Sequence, residues 1–170
     1  KSKLLFKDNR NLYDHYPFAV KNDGTLVLPG GIFWKNNKAL SKNKFPILGS
    51  NKFIEIMDDN IYLGQSYGFS IYDMLGNVQH KSATGINESN WGLRVNSIFK
   101  DKTTLWIGAM NGLNYYDSTG IYHLGKDNPM LRHRIMDIVP LNSTYLALAT
   151  RGGGVIIYDK NTEKTFKNNA

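Results

Sequence analysis

Short apolar runs, each closed by polar turn residues, recur along this chain at a nearly fixed interval and are too short for helices. The clearest set is led by glycine: Gly68-Phe-Ser-Ile-Tyr-Asp73, Gly112-Leu-Asn-Tyr-Tyr-Asp117 and Gly154-Val-Ile-Ile-Tyr-Asp159. Their aspartates stand 44 and 42 residues apart. A period of that size, carried by strands and turns, predicts an array of small antiparallel sheets, one to each repeat.

Superposing the repeats gives every unit the same parts. Strand one is predicted at Phe53-Ile-Glu-Ile-Met57, Val95-Asn-Ser-Ile-Phe99 and Ile135-Met-Asp-Ile-Val139. Strand two follows at Ile61-Tyr-Leu-Gly64, Leu105-Trp-Ile-Gly-Ala109 and Tyr145-Leu-Ala-Leu-Ala149. The second strands are apolar at successive positions, as expected where stacked neighbours cover both faces of a sheet. Strand three is the glycine-led run, its Gly suited to a positive φ and its Asp to an Asx-turn. Strand four is short and polar, at 78–81, 121–124 and 164–166, which suits an outer edge facing water.

An earlier and more divergent unit reads Phe18-Ala-Val20, Thr25-Leu-Val-Leu28 and Gly31-Ile-Phe-Trp34, with Asn36 or Asn37 where an Asp is expected. Before it, Leu4-Leu-Phe6 resembles a lone fourth strand. The expected architecture is all-β: a β-propeller-type array of four-stranded antiparallel blades, about four of them, forming a segment of a larger propeller. Blades are expected at about 13–48, 49–90, 91–131 and 132–170 within a single domain, with 1–8 a surplus outer strand. Helical periodicity is missing from every long segment, and residues 87–93 leave room for one short turn.

At 170 residues with 41% hydrophobic and 21% charged positions, the chain suits one globular domain. The absence of Cys removes disulfides, thiolate metal sites and Cys nucleophiles. No run of eighteen apolar residues and no apolar signal core in residues 1–8 can be found, so neither a membrane span nor an export signal is expected in the chain as read. The net charge of +7 lies wholly in the first 52 residues, where ten Lys/Arg face Asp8, Asp14 and Asp23. Most of those bases are lysines spaced by Asn, as in Lys35-Asn-Asn-Lys38 and Lys42-Asn-Lys44, which reads as a solvated lysine-rich loop. Nucleic-acid binding would call for interleaved Arg and aromatics, and this stretch has Arg10 alone.

The unit Val95-Asn-Ser-Ile-Phe-Lys-Asp101, Leu105-Trp-Ile-Gly108 and Asn111-Gly-Leu-Asn-Tyr-Tyr-Asp117 resembles the two-component regulator propeller repeat, in which one repeat makes one blade. The match is strongest over residues 91–160. The resemblance implies an extracytoplasmic, periplasmic sensor segment of a hybrid two-component receptor, of the kind found in Bacteroidetes, that responds to oligosaccharides and works as a dimer. It implies no catalytic activity and no cofactor. Contact with a membrane would come only through parts absent from this chain.

In a propeller the turns from strand two to three and the crossings from strand four to the next strand one share one face, where ligands usually meet the fold. Sugars need aromatic faces for their C–H side and amide or guanidinium groups for their hydroxyls. The candidate ligand-binding residues are therefore Tyr67, Trp91, Arg94, Asn111, Arg132, His133 and Arg151. Trp106 lies inside a doubly covered strand and is expected in the core. Glu55, Ser97 and Asp137 are placed at equivalent middle positions of the innermost strands, lining a channel. The Arg151-Gly-Gly-Gly154 run could form a nest of amides for an anion, although it lacks the setting of a phosphate loop. His15, His80, His123 and His133 have no zinc spacing, and no metal site is expected. Asn87-Glu-Ser89 and Asn142-Ser-Thr144 match the glycosylation pattern, which matters only in a eukaryotic secretory route.

Two other functions remain open on the residues alone. One is a protein-interaction or dimerisation module, since the sheets of a broken propeller expose edges that could pair between copies. The other is a polysaccharide lyase or hydrolase, which would need His15, His133, Tyr13 and Tyr67 to form a pair or cluster at one end of the channel.

Overall fold

The computed structural model describes residues 17–28, 32–36, 38–42, 51–81 and 94–167. These form sixteen strands in four antiparallel sheets, each sheet ordered along the chain. The first sheet contains β1 (Ala19–Val20), β2 (Leu26–Leu28), β3 (Ile32–Lys35) and β4 (Lys38–Lys42). The second contains β5 (Phe53–Met57), β6 (Asn60–Gln65), β7 (Gly68–Asp73) and β8 (Val78–Lys81). The third is built from β9 (Val95–Asp101), β10 (Thr104–Ala109), β11 (Gly112–Asp117) and β12 (Gly120–His123). The fourth is built from β13 (Arg134–Pro140), β14 (Tyr145–Arg151), β15 (Gly154–Asp159) and β16 (Thr165–Lys167). Successive first strands neighbour one another, β1 against β5, β5 against β9 and β9 against β13, so the sheets stand side by side as propeller blades.

The glycine-led strands start and stop where the sequence pattern puts them, and local chemistry accounts for both ends. Gly68, Gly112 and Gly154 have φ of 89°, 119° and 74°, a region costly for residues with a Cβ. At the other end, Asp73 Oδ1 accepts from the Leu75 and Asn77 amides at 2.9 and 2.8 Å, Asp117 from Thr119 at 2.8 Å, and Asp159 from Asn161 at 2.8 Å. The side-chain amide of Asn77, with the backbone amides behind it, holds the Asp73 carboxyl below the usual carboxylate range. In the divergent blade Asn36 takes the Asp position and adopts φ 49°, so the chain turns back at once into β4.

Strand β4 departs from the expected lysine-rich loop. Lys38-Ala-Leu-Ser-Lys42 pairs with β3 as the outer strand of its blade, and Lys38, Ala39 and Leu40 are exposed. An outer strand needs few apolar residues because one edge meets water, and its lysines discourage pairing with another chain. The crossing before β13 also holds structure that hydrophobic periodicity does not reveal. Two 3-10 turns, Leu124–Lys126 and Pro129–Arg132, fill it, the second begun by Pro129 and capped by Asn128 Oδ1 accepting from the Met130 amide at 3.1 Å.

Apolar packing lies in the gaps between blades. Ile54, Ile61 and Tyr72 meet Val27 and Phe33 in the first gap, and Tyr62 and Phe69 meet Val95 and Ile98 in the second. Trp106 and Leu113 meet Ile135, Leu146, Leu148 and Ile156 in the third, which places Trp106 in the core as expected. The close approach depends on one repeated residue. A Cβ on Gly64 would come 2.7 Å from the Val95 carbonyl oxygen, and one on Gly108 would come 2.7 Å from Ile135 Cγ2, so each glycine admits the next blade's first strand. Strands β6 and β10 are accordingly buried on both faces. Strand β14 is not: Leu146 and Leu148 are fully buried, but Ala149, at the position of Gly64 and Gly108, is exposed. The expected double cover thus holds for two of the three second strands, because no described blade stacks beyond the fourth.

Polar groups also tie blade to blade. Lys100 pairs with Asp58 of the preceding blade, and Lys160 with Asp101. His80 on β8 stacks on Phe69 at 4.8 Å between centroids, and its Nδ1 lies 3.3 Å from Tyr116 Oη of the next blade. Burial pushes the His80 and His123 pKa values below the ordinary histidine value. With the folded pKa depressed, the unfolded chain takes up protons first, so this contribution to stability is complete above about pH 6.5 and is lost as the pH falls through the folded pKa. The melting temperature is expected to drop by a few degrees between about pH 7.5 and 5.5, and His80→Phe to flatten part of that drop. Melting curves collected across that range, showing the same slope in both proteins, would remove His80 from the account.

Candidate functional site

The turns from β6 to β7, β10 to β11 and β14 to β15 lie at one end of the blades, together with the residues that lead into β9 and β13. Backbone contacts join them. Arg94 bridges to Gly68 in parallel fashion, and its carbonyl accepts from the Met110 amide at 2.9 Å. Gly112 lies directly under the crossing, since a Cβ there would fall 1.9 Å from the Leu131 carbonyl oxygen.

Of the seven candidate residues, six fall among the described residues and Trp91 lies outside them. Tyr67 stands at the tip of the β6–β7 turn, 55% exposed. Asn111 accepts from Asn114 Nδ2 at 3.2 Å, which fixes it to its own hairpin. Arg132 donates to the Gly125 carbonyl and, at 2.9 Å, to that of Lys126, so its guanidinium braces the crossing. His133 packs flat against the β14–β15 turn, where a Cβ on Gly153 would come 2.8 Å from its ring. The charges of Arg94 and Arg151 both act on a residue not picked out from the sequence.

That residue is Arg134. It sits directly opposite Arg151 in the β13–β14 ladder. It also holds, one blade on, the repeat position of Arg94, each one residue before the buried Val95 or Ile135 that starts its strand's packing. Its Nη2 donates to Asn96 Oδ1 at 3.4 Å, while Asn96 Nδ2 donates to the Ile135 carbonyl at 2.8 Å, so Asn96 links the two blades. Burial first, then the charges of Arg94 and Arg151, push the Arg134 pKa down. The repeat frame itself carries the signal for Arg134, as the residue aligned with Arg94.

The amide nest considered for residues 151–154 is not available at Gly153. Its N–H donates to Thr150 Oγ1 at 3.0 Å, and that hydroxyl donates to the Gly154 carbonyl at 2.7 Å. The turn is closed by its own threonine.

Glu55, Ser97 and Asp137 all line one open cavity of about 690 Å³ between the first strands of the last three blades. It runs from Phe53, Ser97 and Asp137 toward Asp58 and Lys102, the opposite direction from the arginines. They are not at equivalent positions, however. Ser97 and Asp137 pair with Gly108 and Ala149, which makes Phe53, opposite Gly64, their counterpart. Irregularities between Gly108 and Ala109 and between Ile135 and Asp137 each add a residue to the first strand, and this shifts the apparent alignment.

Ser97 Oγ donates to Asp137 Oδ1 at 3.1 Å, and both oxygens accept from the Ile138 amide, at 3.2 and 2.9 Å. Ser97 is only 2% exposed, so the arrangement joins two blades through a satisfied buried hydroxyl rather than preparing a nucleophile. Ser97→Ala is expected to cost about 1 kcal/mol, and Asp137→Ala, which leaves the buried hydroxyl hydrogen without its acceptor, about 1–3 kcal/mol. Urea titrations of the two single variants and the double would show the coupling as non-additivity. No group of three or more His, Cys, Asp or Glu suited to hold a metal occurs among the described residues. Tyr13 and His15, needed for lyase or hydrolase chemistry, lie outside the described residues, as do the short turn expected at 87–93 and the strand expected near Leu4.

No protein-family model matches the chain, and no curated protein does. Solved structures do match. The extracellular domain of the BT4673 system of B. thetaiotaomicron superposes with a TM-score of 0.68 at 14% identity, over 99% of this chain and 24% of that one. The extracellular domain of the hybrid two-component system BT3049 from the same organism gives 0.65 at 18% identity, over 95% and 23%. The WD40 β-propeller domain of Doa1 gives 0.62 at 9% identity, over 88% and 52%. The chain spans about a quarter of the length of the two bacterial domains, and the blades described here share the fold of all three, of which the Doa1 domain is a β-propeller.

Proposed function

We propose that this chain is a segment of an extracytoplasmic, non-catalytic sensor propeller that takes an oligosaccharide at the face formed by the strand two-to-three turns and the blade crossings. The reading is supported by the shared fold with extracellular domains of hybrid two-component systems. The observation that carries it is the chemistry of that face. Tyr67 stands free of the core, and Arg94, Arg134, Arg151 and His133 converge from two adjacent blades on a rigid frame. Rigid blades presenting variable turns suit recognition, because the ligand does not have to order the loops.

Calorimetric titration of the purified chain against a panel of neutral and acidic oligosaccharides is the test. Binding that Tyr67→Ala or Arg94→Gln weakens is the expected outcome. Silence across the panel would reject the reading.

A second role, as a dimerising module, draws on one specific feature. On the far side of the fourth blade Met136, Val139 and Val155 are 44%, 49% and 50% exposed, whereas Trp106 and Leu113, on the side of the third blade that the fourth covers, are buried. Sedimentation showing a concentration-dependent dimer is expected for that role. A monomer at high concentration would exclude it.

A further inference from the structure

The arginines of this chain are distributed unlike its lysines. Of five arginines among 21 basic residues, four, Arg94, Arg132, Arg134 and Arg151, lie at the same end of the third and fourth blades. Every ion pair among the described residues uses a lysine instead: Lys35 with Asp23, Lys100 with Asp58 and Lys160 with Asp101. Of the acidic residues nearest in sequence, Glu88 lies outside the described residues. Asp127 follows Lys126, whose carbonyl Arg132 binds, and acts with Arg132 on His123, while Asp137 is hydrogen-bonded to Ser97 on the channel strand.

Arg134 and Arg151, directly opposite in adjacent antiparallel strands, form a like-charge pair that destabilises a sheet. The charge of Arg94 adds to the repulsion at Arg134. Arg134 is moreover held in place: Asn96 accepts from one end of its guanidinium, while its Nε is buried without a hydrogen-bond partner among the described residues. Arg132, tied to two carbonyls, stiffens the segment that delivers His133 and Arg134. The result is a set of guanidinium donors with no ion-pair partner among the described residues.

We infer that this face is a binding site for an acidic saccharide, whose carboxylate or sulfate group is held by Arg94, Arg134 and Arg151. The inference rests on the saccharide reading above and narrows it to a charged class. Guanidinium groups bind such oxyanions in a planar fork, two donors to two oxygens, and an incoming anion would cancel the repulsion between the arginines. Tyr67 and His133 stand beside the cluster to meet the sugar ring, and neutral sugars would leave the arginines unpaired.

Calorimetry on the 170-residue chain at low salt tests this with four probes: trigalacturonate, its methyl ester, a sulfated disaccharide and sodium sulfate. The expected result is that trigalacturonate or the sulfated disaccharide binds, the tighter of the two identifying the oxyanion. The methyl ester should bind at least about 10-fold more weakly, the loss of one charge-assisted contact. Arg151→Gln, at an exposed position, should lose about 10-fold in affinity and melt no lower than the parent, while Lys38→Gln should change neither. Equal binding of acid and ester, full binding by Arg151→Gln, or a lower melting temperature in that variant would overturn the inference. Binding of neutral saccharides alone would overturn it while leaving the saccharide reading intact. Sulfate binding with every saccharide silent would overturn both.

Discussion

Gly112→Ala is expected to cost about 3 kcal/mol or more, a large share of the stability of about 5–15 kcal/mol usual for a domain of this size. Two independent penalties meet at this residue. Its φ of 119° is a conformation that L side chains rarely adopt. In addition, an added Cβ would fall 1.9 Å from the Leu131 carbonyl oxygen and 3.0 Å from Arg132 Cα, both backbone atoms that no side-chain rotation can clear. The crossing would have to lift, dragging Leu131 out of the third gap, where it is 1% exposed, and loosening the segment that carries His133 and Arg134. Gly154 offers the control. Its φ is also positive, at 74°, but nothing lies within 4 Å of its Cβ position. Gly154→Ala should therefore cost only about 1–2 kcal/mol, the backbone strain alone. Chemical denaturation of the two variants, giving equal losses, would show that the packed crossing is not what Gly112 protects.

Trp106→Ala should lose about 3–5 kcal/mol. The indole spans the gap between the third and fourth blades, with Tyr115 and Tyr158 each at 5.6 Å between ring centroids and Ile138, Leu146 and Leu148 in the same cluster. Truncation would open a cavity in the packing that joins the two blades, and the surrounding strands are too regular to collapse into it. Trp106 Nε1 is buried with no hydrogen-bond partner among the described residues. Replacing the ring by another apolar aromatic therefore sacrifices no hydrogen bond, and Trp106→Phe should cost less than about 1.5 kcal/mol. Tyr122, 40% exposed on an outer strand and stacked on Tyr115 at 4.6 Å between centroids, should lose only about 1 kcal/mol on replacement by Ala. If Trp106→Phe proved as damaging as Trp106→Ala, the indole N–H would have to be making an interaction the geometry does not contain.

The parts legible in the sequence are those where a residue acts through its own backbone or nearest neighbours. Strand three could be bounded at both ends because its Gly supplies a positive φ and its Asp caps the next turn, both local effects. Strand β4 was hidden because an outer strand of Lys, Ala and Ser has the composition of a loop and differs only in having β3 beside it. Glu55 was aligned with Ser97 and Asp137 because the residues added by two β-bulges are invisible until partners are known. Arg134 escaped for a related reason. Its significance comes from Arg151, seventeen positions away and opposite it in the ladder, and from Arg94 in the previous blade. The uncovered side of β14 likewise depends on what stacks beyond it, although Ala147 and Ala149, where the other blades have Tyr62 or Trp106 and Gly64 or Gly108, do mark a different surface.

Because the apolar packing lies between blades rather than inside them, each sheet owes its persistence to its neighbours. Strand β10, covered on both faces, should have the slowest amide exchange in the molecule, and β14, covered on one, should exchange faster despite its equally complete ladder. Among the described blades the fourth has one described interface, so in an array of coupled units it is expected to open before the third. Arg94 and Arg134 belong to different blades across that last interface. A ligand bridging them would thus act as a clasp on the fourth blade, slowing exchange in β13–β16, and its occupancy could be read by a change in motion with no change in shape.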